Sequence, residues 1–322
     1  MPTKLFAIAR NAFLETIRQP IFGVVLVTTL FLMIMNVGLA GFTLEDDDKL
    51  LTELGLSTLL LSGLFLSSFS ATGILSREVE NKTILTVVSK PVSRTVFLAG
   101  KYLGLILALS LAFYICFLGF FFSIQHKVLQ MSSDPWHMPV IVFGFGGVLV
   151  PCIIAALRNF LFGKDFVSTV LWLGTPMLTL GAIATCFFGR EWQVQSFWTG
   201  LPRADIFIAV FLVFCAVLVL SAIALAASTR LGQVMTLLVC LAVLMVGLIS
   251  DHMLSGLAQK SAIARLIYVH VPNFNLLWIA DAVNAEIDIP IAYMGMGALY
   301  AALMAAAALL AGVALFQGRE VG

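Results

Sequence analysis

Eight uncharged apolar stretches, each long enough to cross a bilayer, leave this chain few folds to choose from. They run at about Ile21–Phe42, Leu54–Ser76, Tyr102–Ile124, Pro139–Leu157, Phe166–Phe188, Ile206–Ser228, Leu231–Ser250 and Ile291–Phe316. About 20 helical residues, at 1.5 Å each, cross a hydrocarbon core of roughly 30 Å. Composition closes the other routes. Of 322 residues, 61% are hydrophobic and 11% charged, with a mean hydropathy of +1.06. A soluble domain carries about 25% charged residues and has too little interior to hide such an apolar surplus. The expected fold class is therefore all-α: a polytopic membrane helical bundle of about eight transmembrane helices, with an N-terminal interfacial helix, in one domain over 1–322. The fourth stretch is the weakest, because Pro151 stands in its middle. Proline is tolerated there only where a neighbouring helix covers the carbonyl it frees.

The segment 1–20 is not expected to be a cleaved signal, since the apolar run after it is too long and no small-residue cleavage site follows. Leu5, Ile8, Ala9, Ala12, Phe13 and Ile17 recur at helical spacing, with Lys4, Arg10, Asn11 and Arg18 elsewhere on the wheel. That pattern predicts an amphipathic helix along the inner interface, turning at Pro20 into the first span. Of the 18 Lys and Arg residues, 12 then fall on the side of the N-terminus and six on the other. The bias places both termini in the cytoplasm and the acidic run Glu45–Asp48 outside. A net charge of +1 gives no footprint for nucleic acid.

Catalytic and metal chemistry finds no foothold. Cys116, Cys152, Cys186, Cys215 and Cys240 each fall in a different span without CxxC spacing, and His126, His137, His252 and His270 are scattered in the outer parts. Gly100-Lys101 and Gly163-Lys164 resemble pieces of a phosphate loop. However, Thr95 and Arg158 stand where its first glycine belongs, and Tyr102 and Asp165 follow the lysines. All 17 acidic residues lie in loops or at span ends, so no ionisable group is available at a span centre to bind a coupling ion. Ser57, Thr58, Ser62, Ser67, Ser68, Ser70 and Thr72 in the second span favour an amphipathic, lipid-like or peptide-like cargo over a bare ion.

The segment 77–100, between the second and third spans, carries the most distinctive pattern. Arg77, Glu78, Glu80, Lys82 and Thr83 lead into Ile84-Leu85, then Pro91, Arg94 and Gly100-Lys101. Glu78 and Lys82 form an i,i+4 pair beside an apolar edge, which predicts a short amphipathic helix stopped by Pro91. Charge and apolar edge together suit a soluble docking partner, although a solvated linker with ordinary inside positives would also carry such residues.

On these residues the chain resembles the ABC type-2 permease family, the membrane subunits of bacterial ABC transporters. Weaker matches are the interfacial helix, Ala227-Ser228-Thr229, Val271-Pro272-Asn273-Phe274-Asn275 and the tail Phe316-Gln317-Gly318-Arg319-Glu320. The family has six spans. The segment 125–204 is therefore expected to be an inserted helix pair, and 251–290 an external loop. The resemblance implies a non-enzymatic subunit in the bacterial inner membrane that pairs with a second permease copy, identical or related. Separate cytoplasmic ATPase subunits would hold ATP-Mg and engage Arg77, Glu78, Glu80, Lys82, Thr83, Pro91 and Arg94. Alternatives are an anchoring or assembly subunit without cargo, or a secondary transporter.

Overall fold

The computed structural model describes residues 2–43, 46–80, 93–129, 134–261, 265, 268 and 271–317. It is 83% helical, and among the described residues there is no strand beyond an isolated bridge between Phe188 and Val194. The helices are α1 (Pro2–Ile17), α2 (Pro20–Ala40), α3 (Asp47–Glu80), α4 (Arg94–His126), α5 (Met138–Phe162), α6 (Phe166–Phe187), α7 (Phe197–Gly200), α8 (Ala204–Ser228), α9 (Gln233–Lys260), α10 (Ala280–Asn284) and α11 (Ile291–Gln317). Eight of them are long and apolar enough to cross a membrane, one for each apolar stretch. The chain is a multi-pass, all-α membrane protein.

Several helices outrun their apolar stretches. α3 continues to Glu80 and α4 begins at Arg94, so 77–80 extend the second span rather than open a separate helix. α9 likewise runs on to Lys260, into the segment 251–290 expected to be loop. Backbone hydrogen bonding does not stop where the hydrocarbon stops, and no proline or glycine interrupts Ser76–Glu80.

Chain contacts divide the protein into two units, neither of them continuous in sequence. The first comprises Met1–Phe22, Leu60–Ser110 and Ile208–Gly322. Its central element is α8. Gly63 of α3 seats the Val217 side chain, Tyr102 of α4 donates its hydroxyl to the Leu218 carbonyl (3.0 Å), and Gly297 and Gly312 of α11 receive Leu212 and Ala226. At its other end, Gly247 of α9 packs under Phe274 of the short 3-10 turn Phe274–Leu276. Asn273 caps that turn through the Asn275 amide (3.0 Å) and donates its own amide to the Tyr300 hydroxyl (2.6 Å).

The second unit comprises Gly23–Leu59 and Leu111–Phe207. Here Gly55 of α3 and Gly119 of α4 admit Phe120 and Leu30, and Asn36 donates to Thr58 (3.0 Å). The expected inserted pair is the α5–α6 hairpin. His137 caps α5 and Asp165 caps α6 through the Ser168 amide (2.8 Å), while Gly163 turns the corner at φ +61°. α5 runs unbroken through Pro151. Gly174 of α6 lays its bare Cα over that proline, beside the Gly147 carbonyl the ring leaves unbonded. Small residues at this crossing let the two backbones approach as membrane helices do.

Candidate functional site

Of the residues expected to engage a partner, Arg77, Glu78 and Glu80 lie in the last turn of α3, and Arg94 opens α4. Lys82, Thr83 and Pro91 lie outside the described residues, as do Arg319 and Glu320 of the tail.

Arg94 is built into the first unit. Its Nη1 donates to the Phe316 carbonyl (3.3 Å), its guanidinium lies 5.8 Å from the centre of the Phe316 ring, and that ring stacks on Phe97 at 6.0 Å. Arg230, in the turn after α8, donates its Nε to the adjacent Leu315 carbonyl (2.9 Å). The last carbonyls of a helix have no partner within it, and they carry the negative end of its dipole. Two arginines from elsewhere in the chain thus cap α11. The Ala227–Thr229 turn supplies this geometry: Ser228 and Thr229 return their hydroxyls to Leu225 and Ala226, and Arg230 is left pointing at α11.

One turn further along α4, Gly100 and Gly104 form a trough for α1. Gly100 meets Ile8 and the Leu5 carbonyl, and Gly104 meets Ala9, Ala12 and the Phe13 amide. The side of α1 that faces inward is the one its periodicity marks, with Ala9, Ala12 and Ile17 buried while Phe6 on the opposite side stays 73% exposed. Between the two glycines stands Lys101. It is 1% exposed, pairs with Glu15 of α1 (3.1 Å) and has its ammonium 5.7 Å from the Phe97 ring centre. Asn11 steadies Glu15 from one turn earlier (3.1 Å).

Sequence reasoning places Lys101 at the membrane interface as an ordinary inside positive. Instead it is a buried charge held by an ion pair and an aromatic face. The signal that would have found it is its place inside Gly100-x-x-x-Gly104: a helix that approaches over two glycines covers the residue between them. Glu15 then follows as the acidic residue on the covering helix.

At the opposite end of the first unit, Asp251 accepts a hydrogen bond from the Tyr268 hydroxyl (2.5 Å). The carboxylate holding that proton pushes the Tyr268 phenol above its ordinary range. Among the described residues, no group of three or more His, Cys, Asp or Glu side chains is placed to hold a metal ion.

The chain matches no family model, and no curated protein matches it significantly. What the Arg94 end can do is mechanical. Arg94 and Arg230 tie α11 to α4 and to the turn after α8, and the trough at Gly100 and Gly104 seats α1 on the same helix α4.

Proposed function

We propose that this chain is the permease subunit of an ATP-binding cassette transporter of the ABC type-2 kind, working as an exporter in the bacterial inner membrane with both termini cytoplasmic. The observation that carries the reading is the bolted frame at Arg94. The segment between α3 and α4 holds the docking pattern of charged residues and proline, and its far end is anchored to α4 by a residue that also caps α11. A soluble ATPase pressing on that segment would therefore move a rigid set of helices rather than a loop. ATP-Mg belongs to that separate subunit, and a second permease copy completes the pathway. α3 and α4 would tilt as the ATPase closes on nucleotide, exposing the pathway to alternate sides.

The test is copurification with the ATPase and ATP-dependent transport in vesicles for Glu80→Ala, Glu80→Lys and Arg94→Ala, against Lys49→Ala on the outer side. Truncating one partner of a desolvated interfacial charge pair costs about 2–5 kcal/mol, and a rim pair roughly 1 or less. Glu80→Lys is expected to lose more than Glu80→Ala, because it adds repulsion to the lost bond. The isolated chain hydrolyses no ATP on this reading. Loop variants that match Lys49→Ala in both assays would remove the coupling role. Failure of any ATPase to copurify would favour an anchoring subunit or a secondary transporter.

A further inference from the structure

The hydroxyl run of the second span plays no part in the bolted frame. Within α3, Ser67, Ser68 and Ser70 are fully buried, and their oxygens lack a nitrogen or oxygen partner among the described residues. A helical hydroxyl ordinarily bonds the carbonyl four residues back, as Thr72 does with Ser68 (2.8 Å). Two groups packed nearby share the condition. Gln19, at the elbow between α1 and α2, lies so close to Gly73 that a Cβ there would sit 2.6 Å from its Nε2, and that Nε2 meets no acceptor among the described residues. Thr236 of α9 is fully buried with an unpartnered hydroxyl, one turn from Cys240, whose thiol is a weak partner facing Ser68. Five polar side-chain atoms of one unit are thus buried with no oxygen or nitrogen partner among the described residues.

A group stripped of water and given nothing in return destabilises the state that holds it. Such groups are sustained where another state supplies the partner. We propose that α3 is the cargo-contacting helix of the first unit. Its Ser67, Ser68 and Ser70, with Gln19 and Thr236, form a neutral hydrogen-bonding strip. The strip is closed on itself here, and it pairs with uncharged hydroxyl or amide groups of an amphipathic cargo when α3 parts from its neighbours. This rests on the transport reading above. The chemistry of the set fixes the class: alcohols and one amide offer donors and acceptors but no ion, so they cannot offset the desolvation of a formal charge. Ser67, Ser70 and Gly73 follow one another at three-residue spacing, a column about 9 Å long that ends at Gln19. The missing partners also make parting easy, because opening returns these groups to polar surroundings.

Two single-thiol proteins read the opening, one keeping Cys240 and the other Cys215, both buried in the first unit. They are reconstituted in liposomes with the copurifying ATPase. N-ethylmaleimide is expected to label Cys240 roughly tenfold faster under ATP turnover, as a local opening requires, and to leave Cys215 unlabelled. n-Octyl β-glucoside, a neutral polyol amphiphile, slows the Cys240 reaction, and n-octylammonium does not. The double variant Ser67→Ala, Ser70→Ala keeps or raises its melting temperature, since no bond is lost, while transport falls roughly fivefold. A lowered melting temperature with transport intact would make these hydroxyls structural and sink the proposal. Equal protection by octylammonium, or labelling indifferent to ATP, would do the same. Ser93→Cys, beside Arg94, separates this from the permease reading. If it responds to ATP and Cys240 does not, the strip falls and the permease stands; if neither responds, both fall.

Discussion

α8 and α5 are both 25 residues long and both uniformly apolar across their spans, yet their surroundings differ. In its most apolar window α8 is 61% buried inside the protein, and α5 is 22% buried. The first is clasped by three other helices of its unit. The second is fastened mainly to its hairpin partner α6 and turns Phe145, Leu149, Ile153 and Phe160 outward. Lipid and protein interior are equally apolar solvents, so burial in the protein cannot be what holds either helix in the membrane. What separates them is shape. The first unit joins glycine seats to charges from distant parts of the chain, whereas the hairpin is held by local caps and by glycines that seat its own two helices, Gly147 against Leu178 and Gly181 against Phe143.

That contrast breaks most sharply at paired glycines. Gly104→Ala puts a Cβ 2.6 Å from the Ala12 Cβ and 2.9 Å from the Phe13 nitrogen, so α1 must lift from α4. A loss of about 3 kcal/mol is expected, read as a lowered melting temperature in lipid nanodiscs, with Glu15 newly open to modification. Next comes the ion pair. Glu15→Ala takes one carboxylate partner from the buried Lys101 and is expected to cost about 2 kcal/mol, less than a fully buried pair because Glu15 is 29% exposed. Lys101→Met removes the charge and keeps the stem, and it should cost less than Glu15→Ala. If the two cost the same, the pair is only a surface contact.

The hairpin answers to pH instead. Burial first, then the nearby His126 and Arg190 charges, hold the His137 imidazole below its ordinary 6.5. The unfolded segment therefore takes up its proton at higher pH than the folded one. Stability is fully present above about 6.5 and declines as pH falls below it, because a proton on Nδ1 ends its acceptance of the Val140 amide (3.4 Å). The first turn of α5 should lose up to about 1 kcal/mol of protection, measured by amide exchange against pH, and His137→Asn should flatten the profile. The smallest effect is Gly146→Ala in α5, where nothing lies within 4 Å of the added methyl. A gain of about 0.5 kcal/mol is expected from helix propensity, and a loss would show that the hairpin face is covered.

The span count and the amphipathic helix α1 were legible because both rest on periodicity and length. Leu5, Ala9 and Ala12 announce their face before any partner is known. The ends of α3, α4 and α9 were not legible, since hydropathy registers hydrocarbon thickness and these helices continue beyond it. The split between α8 and α5 was equally hidden, because an apolar residue carries no mark of whether lipid or protein will touch it. At the candidate site Arg94 was legible as a charge but not as a cap on α11, 222 residues away in sequence. Lys101 and Glu15 were each visible, and only the trough between Gly100 and Gly104 makes them a pair.

The distance along the chain between those two has a consequence for synthesis. α1 leaves the ribosome before α4, so its seat there, 86 residues later, does not yet exist when α1 emerges. At about 5–20 residues per second the wait is on the order of ten seconds. Throughout it the helix must shelter its apolar face on the membrane surface or on a chaperone. Only when α4 inserts can α1 lock, so docking of α1 reports that α4 has arrived.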